Sequence, residues 1–392
     1  MDNSSKDIRI VVIGGDHYNT YGIVRSLGEA GLRLYVIILG RDKGKSFVLK
    51  SRYIANGFCC RTQENAIAVL LHNFSTTSKN ILICCSDEAE ELILDHYDEL
   101  KDKYVLPVCK DYKETVRLMN KGAITDLANK YEIRTPQTWH VVNRIVPDDI
   151  VYPVITKPLV STQGHKSDIV LCKNGDELKA IVRDEERCAD YLVQEYIEFE
   201  KEVSILGAVL VNGEVVFSGC IDKLRTCMIG TTSFGVMVDN SILGDNVAKL
   251  ESMMKHTGYR GLFSAEFLKK GENFYFLEVN FRNDGNTYVA TASGNNLPLQ
   301  YVYSITEQQI VEANPHYPCY FMLDIEDFLA RGRNGVTLIQ WNRDKRQADC
   351  FLVYNKKDKK PFERKIMNTI SSIFRRGIHK VGLYFFCYES YI

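Results

Sequence analysis

The sequence lacks a CxxC pair, an internal repeat, a low-complexity tract, and an excess of either charge. Each absence narrows the reading. A formal net charge of −1 over 392 residues gives no sign of a nucleic-acid or membrane-surface partner. No apolar run is long enough to span a bilayer. Twelve cysteines are present, four of them in the adjacent pairs Cys59-Cys60 and Cys84-Cys85. None has the spacing of a zinc or redox site. The opening MDNSSKDIRI has no signal-peptide pattern, so reduced thiols and a cytoplasmic location are expected.

What is there is a soluble globular composition, 45% hydrophobic and 25% charged, in a chain long enough for two or three domains. The first third alternates strands and helices. Ile8 to Ile13 ends in Gly14-Gly15, a helix is expected over Tyr21 to Ala30, and Leu34 to Leu39 and Ile81 to Cys85 are apolar strands. Asp87 reads as the N-cap of the helix that follows. This alternation predicts a parallel sheet covered on both faces, with ligands beyond the carboxyl ends of the strands. Gly14, Gly15, His17, Asn19 and Ser86-Asp87 then border a crevice. From about Asp111 to Tyr131 the pattern is helical, and extended segments follow, including a hairpin about Asn212-Gly213. The last portion holds strands at Cys319 to Leu323 and Phe351 to Tyr354 and a basic helix near Phe362 to Arg376. Its basic stretch around Arg364, Arg375 and Arg376 reads as a solvated face, with docking to an anionic partner as the alternative.

The most informative stretch is GLFSAEFLKKGENFYFLEVNFRNDG, Gly261 to Gly285. Two strands, Phe263 to Leu268 and Phe274 to Val279, flank a turn at Gly271-Glu272-Asn273. A hairpin symmetric about Glu272 sets Glu266 opposite Glu278. The period of two then puts Glu278, Asn280 and Arg282 on one face beside Glu266. Facing carboxylates repel, and a divalent cation relieves that. Carboxylate and amide oxygens without sulfur or imidazole suit Mg²⁺, with Mn²⁺ as a second ion. Arg282 can hold phosphate oxygens with its fork of donors.

Two weaker features precede it. Lys157 ends the apolar run Val154-Ile155-Thr156, and a loop with Ser161, Thr162, Gln163 and Gly164 follows. Such a lysine can reach phosphates while the loop N–H groups cover them. Next come Gln194-Glu195-Tyr196-Ile197, able to present backbone to an adenine edge, and Glu202, able to accept ribose hydroxyls.

In this order the three features resemble the ATP-grasp superfamily over nearly the first three quarters of the chain. The fold implied mixes α/β and α+β. A preATP-grasp Rossmann-like domain (1–115) leads into an ATP-grasp fold of two α+β subdomains (116–305, lid about 135–190) and a C-terminal extension (306–392). The resemblance implies that Lys121 and Lys157 contact phosphates, Glu195 and Ile197 the adenine, and Glu202 the ribose. It implies Glu266, Glu278 and Asn280 as metal ligands and Arg282 on the transferred phosphate. The phosphate loop LVSTQGHKSD departs from the family in having a single glycine and His165 in place of small residues, which implies either a stiffer lid or contact of His165 with phosphate. Gly14-Gly15-Asp16, Arg25-Ser26-Leu27, Ser51-Arg52-Tyr53 and Ser86-Asp87-Glu88 are most similar to the carboxylate–amine and D-aspartate ligases. The activity implied is ADP-forming C–N ligation through an acyl phosphate, with ATP, a small carboxylate and an amine as partners and a homodimer as assembly. For acceptor recognition, Lys223 and Arg225 suit a carboxylate or phosphate, Asp284 in Asn283-Asp284-Gly285 an ammonium, and Ser233 and Phe234 the same cavity. Rival readings are a carboxylase or formate-using ligase of nucleotide synthesis and a nucleotide-binding module without turnover.

Overall fold

The computed structural model describes residues 8–375 except 42–43, 75–78, 159–167, 185–186, 188–189, 229–230 and 311. The expected phosphate loop, with Gly164 and His165, and Arg376 lie outside the described residues.

Three sheets organise the described residues. The first contains β1 (Ile10–Gly15), β2 (Leu34–Leu39), β3 (Ile54–Cys60), β4 (Asn80–Cys84) and β5 (Tyr104–Val105), in the order β3-β2-β1-β4-β5. Every pairing in it is parallel. Its central strand is buried on both faces. Ile10 and Val12 pack with Tyr21, Val24 and Leu27 of the helix Tyr18–Glu29, while Val11 and Ile13 pack with Leu70 and Leu92 on the other side. Continuous apolar strands require this double cover. Gly14 serves a close approach more than a turn, because a Cβ there would lie 2.8 Å from the Cβ of Cys85.

The second sheet is a small antiparallel one of β6 (Thr138–Val141), β7 (Val154–Pro158), β8 (Leu171–Cys172) and β9 (Tyr191–Glu195), ordered β6-β9-β7-β8. It has its own core, where Trp139, Val141, Val154 and Val193 meet Leu178 and Val182 of the helix Gly175–Arg183.

The third sheet holds β10 (Lys201–Val209), β11 (Val215–Met228), β12 (Thr231–Val238), β13 (Gly261–Lys270), β14 (Asn273–Asn280), β15 (Cys319–Met322) and β16 (Cys350–Phe351). The order is β14-β13-β10-β11-β12-β15-β16. The segment after residue 306, expected as an extension, therefore contributes two strands to the edge of this sheet, β15 antiparallel to β12 and β16 parallel to β15.

Candidate active site

The site begins with the register of the β13–β14 hairpin. Glu266 pairs directly with Glu278, and Ser264 with Asn280. The route to that register differs from the symmetric hairpin expected. Lys270 pairs with Asn273, so the turn is only Gly271-Glu272, with Gly271 at φ +57°. A two-residue turn with glycine first suits a tight hairpin. From there Phe267 pairs with Phe276, and a bulge at Leu277 then restores Glu266 opposite Glu278. Without that extra residue Glu278 would face away, because a one-residue slip moves every later side chain to the other face.

Around the two carboxylates the chain gathers cations from three directions. Lys121 opens the helix Lys121–Lys130, whose N-cap Asn120 accepts from the Gly122 N–H (2.9 Å) and the Ala123 N–H (3.2 Å). Its ammonium is ion-paired with Glu278. Lys157 comes from β7 and donates to Gln194 Oε1 at 2.8 Å across the β7–β9 pairing. Lys223 comes from β11 and meets Glu202 at 2.6 Å.

The crevice perturbs these groups in opposite senses. Burial and the facing Glu278 push the Glu266 carboxyl up. Burial also opposes the charge on Glu278, but the Lys121 ammonium outweighs it and the pKa falls. Burial pulls Lys157 down to about 8, with Lys121 adding to it and Glu278 resisting. Burial works against Lys223, yet Glu266 and Glu202 hold its pKa up. Among the described residues no three of His, Cys, Asp and Glu converge. The oxygen donors here are thus two carboxylates and the Asn280 amide. An oxygen-only set that cannot hold both charges comfortably fits a hard divalent cation such as Mg²⁺.

Arg282 joins this hairpin to the first sheet. Its Nε is ion-paired with Asp87, NH1 donates to the Asn283 carbonyl (3.2 Å) and NH2 to Asn280 Oδ1 (3.3 Å). Asp87 is free to do this because the N-cap of the helix Asp87–Asp95 is Ser86, whose Oγ accepts from the Ala89 N–H at 3.2 Å. The expectation that Asp87 is the cap is corrected by one residue. The Asn283 N–H donates to the Cys84 carbonyl at the end of β4 (3.0 Å), which holds the two sheets in register.

Other expected site residues separate into two groups. Asn19 is buried and its amide pairs with Asn283, donating to that residue's carbonyl at 2.9 Å, so it clamps the sheets and is not presented to a substrate. Arg225 is engaged inside the protein. Its guanidinium donates to Asp327 from Nε (3.1 Å) and NH2 (2.8 Å), and to Asp344 from NH1. Ser233 Oγ also donates to Asp327 (2.6 Å), and Phe234 lies beneath the Arg225 guanidinium. Gln194 is buried and orients Lys157. Glu195 and Tyr196 have their N–H groups bonded to the Gln137 carbonyl (2.8 Å) and the Pro153 carbonyl (3.0 Å), and Ile197 is buried beside them. Asp284 accepts from the Asn286 N–H (2.8 Å) and side-chain amide (3.0 Å). His17 keeps an exposed ring at the crevice edge while its Nδ1 accepts from the Asn19 N–H (3.3 Å). The protein packed along this edge, with Lys365 and Arg282 adding to it, lowers its pKa.

The Arg225 pair carries a stability prediction. Asp327 is fully buried. Asp327→Ala leaves the half-buried Arg225 guanidinium with Asp344 alone and is expected to cost about 2–3 kcal/mol. Denaturant unfolding measures this, and a loss below about 1 kcal/mol, the level of an exposed pair, contradicts the assignment.

Sequence reasoning missed Glu90. It lies one helical turn beyond Asp87, on the same face, and that spacing is the signal that could have found it. It is 4% exposed, its Oε1 has no hydrogen-bond partner among the described residues, and burial raises its pKa from 4.5 to about 8. With Asp87, Lys121, Glu278 and Asn280 it lines a cleft of about 40 Å³. Between about 4.5 and 8 the folded chain keeps a proton that the unfolded chain releases. Stability attributable to Glu90 is therefore present at low pH and lost as pH rises through that window. Glu90→Gln is expected to be more stable than the parent at pH 8, by on the order of 3 kcal/mol, and equal to it near pH 4. Unfolding at both pH values checks the sign.

Carboxylates opposed across a hairpin, an Asn and an Arg beyond them, and lysines from a helix and a smaller sheet define a class, and residues 127–297 match the ATP-grasp domain. The match is to that domain, over those residues. It is 28% identical over 260 residues to formate-dependent phosphoribosylglycinamide formyltransferase of Prochlorococcus marinus, covering 62% of this chain and 66% of that one. The chain thus spans just under two thirds of the length of that relative. It is 22% identical over 340 residues, 76% of each chain, to D-aspartate ligase of Enterococcus faecium. The fold is similar to that of N5-carboxyaminoimidazole ribonucleotide synthetase in its ADP complex, with a TM-score of 0.63 at 14% identity over 84% of this chain and 87% of the other.

Proposed function

We propose that the protein is an ATP-dependent carboxylate–amine ligase that forms an amide bond through an acyl phosphate and releases ADP and phosphate. The observation that carries this reading is the direct pairing of Glu266 with Glu278, with Lys121 and Arg282 converging on the same face. Glu266, Glu278 and Asn280 would hold Mg²⁺, which neutralises phosphate charge as the γ-phosphoryl group transfers. Lys121 and Lys157 bind phosphates, Glu195 and Ile197 meet the adenine, and Glu202 meets the ribose. A carboxylate oxygen of the acid bonds to the γ-phosphorus as the bridge oxygen leaves with ADP. The amine then attacks the acyl carbon and phosphate departs. Arg282 stabilises the charge on the transferring group. Lys223, Asp87 and Asp284 remain as acceptor-recognition residues, and the first two must exchange an internal ion pair for the substrate.

The length of the match to D-aspartate ligase, which runs over 76% of this chain, favours an amino acid as one substrate. The higher identity to the formyltransferase favours a second reading, in which formate is the acid. ADP release from Mg·ATP, measured over amino acids singly and in pairs and over formate and bicarbonate with amine acceptors, separates them. Release that requires an amino acid supports ligation to it. Release with formate and an amine supports the second reading, and release with bicarbonate alone overturns both.

A further inference from the structure

The net charge of −1 conceals an uneven distribution. Residues 356–376 contain eight Lys and Arg against Asp358 and Glu363, a formal +6, which leaves −7 on the rest of the chain. Asp358 is buried and accepts from Ser51 Oγ (2.5 Å) and the Arg52 N–H (3.1 Å), so it does little to offset the surface charge.

The helix Lys360–Arg375 within this stretch is held to the body of the protein along one side. Phe362 is buried, Lys365 pairs with Glu326 (2.6 Å) and lies over the Phe47 ring, and Asn368 donates to the Lys45 carbonyl (2.7 Å). These contacts fix which side faces outward. Steps of three and four residues along that side give Lys360, Glu363, Met367, Ser371 and Phe374, with the half-buried Arg364 beside them. Met367 is 58% exposed and Phe374 63% exposed. Bulky apolar groups thus lie outside, on the same stripe as cations. The Asn368 contact sets the helix beside the segment of Arg41 and Lys45, which with Arg61 line an open depression past β2 and β3. In sequence the helix is followed by Arg376 and Lys380, then VGLYFFCYESYI, five aromatics in twelve residues.

Nucleic-acid phosphates would require only the cations. Cations interleaved with outward Met and Phe match a surface that is anionic above and hydrocarbon below. No helix among the described residues is long and apolar enough to cross a membrane, so the contact is superficial. We propose that the helix Lys360–Arg375 docks this protein on an anionic lipid bilayer, with Met367 and Phe374 entering the headgroup layer and Lys356, Lys357, Lys360 and Arg364 facing anionic headgroups.

The test is co-sedimentation of the full chain with vesicles of phosphatidylglycerol and phosphatidylcholine, against phosphatidylcholine alone. Binding is expected only with the anionic vesicles and is expected to weaken with salt. Met367→Ser/Phe374→Ser and, separately, Lys359→Gln/Lys360→Gln/Arg364→Gln should each lower the partition coefficient about tenfold. Circular dichroism and thermal unfolding confirm that both variants fold. The proposal is overturned if the wild type does not sediment, binds both vesicles equally, or is unaffected by the substitutions. It is also overturned if single-stranded RNA binds without help from Phe374, or if Phe374 instead holds two copies of the chain together in the absence of vesicle binding.

Discussion

Replacing Glu278 by Gln lowers ATP turnover by on the order of 10³-fold or more while leaving the fold in place. The substitution preserves size and the capacity to accept a hydrogen bond, so β14 keeps its packing. What changes is charge. Glu278 faces Glu266 and is the partner of Lys121, whose ammonium also acts on Lys157. With the carboxylate gone, the proposed metal would lose one of two anionic ligands, and Lys121 and Lys157 lose a counter-charge. The apparent KM for ATP should rise together with the fall in kcat, since the same group serves nucleotide binding and phosphoryl transfer. ADP release under saturating acid and amine measures the loss. Turnover within tenfold of the parent, with normal unfolding, means that the hairpin is not the catalytic site.

Arg282→Lys is expected to reduce turnover by about 10²- to 10³-fold although the charge is retained. The three donors of Arg282 point to three places, namely Asp87, the Asn283 carbonyl and the Asn280 amide oxygen. That fork ties the end of β14 to the first sheet and keeps a planar cation beside Asn280. A lysine ammonium is a point charge on a flexible stem and can satisfy one of the three. The loss should fall mainly on kcat, because an arginine acting on the transferring group contributes most in the transition state. A change confined to KM would assign Arg282 to ground-state binding instead.

The hairpin was legible in the sequence because its evidence is local. Glu266, Glu278, Asn280 and Arg282 lie within 17 residues, and period-two alternation carries them to one face. The expected register holds, but by a different path. The turn is one residue shorter than expected, and the Leu277 bulge compensates. Nothing in FYFLEVN marks Leu277 as extra, since bulges depend on how a strand fits its neighbour. The Asp87 cap failed for a related reason. Ser86 and Asp87 are both strong cap formers, and only the packing that turns Asp87 toward Arg282 decides between them. The ion pairs of Arg225 were not legible because its partners, Asp327 and Asp344, lie more than 100 residues further on. The joining of β15 and β16 to the central sheet has the same origin, because β12 and β15 are separated by some 80 residues of intervening chain. Long-range pairing leaves little trace in local pattern. Glu90 is the exception, since its spacing from Asp87 was visible and its burial was not.

The β13–β14 hairpin is proposed to hold a metal–nucleotide complex. Isothermal titration of the protein with ADP, with and without Mg²⁺, tests it most directly in the parent and in Glu266→Gln/Glu278→Gln. Mg²⁺ is expected to tighten binding to the parent, and the double variant to lose this gain while still folding. Binding that ignores Mg²⁺ and the two substitutions, or no binding of ADP at all, would contradict it.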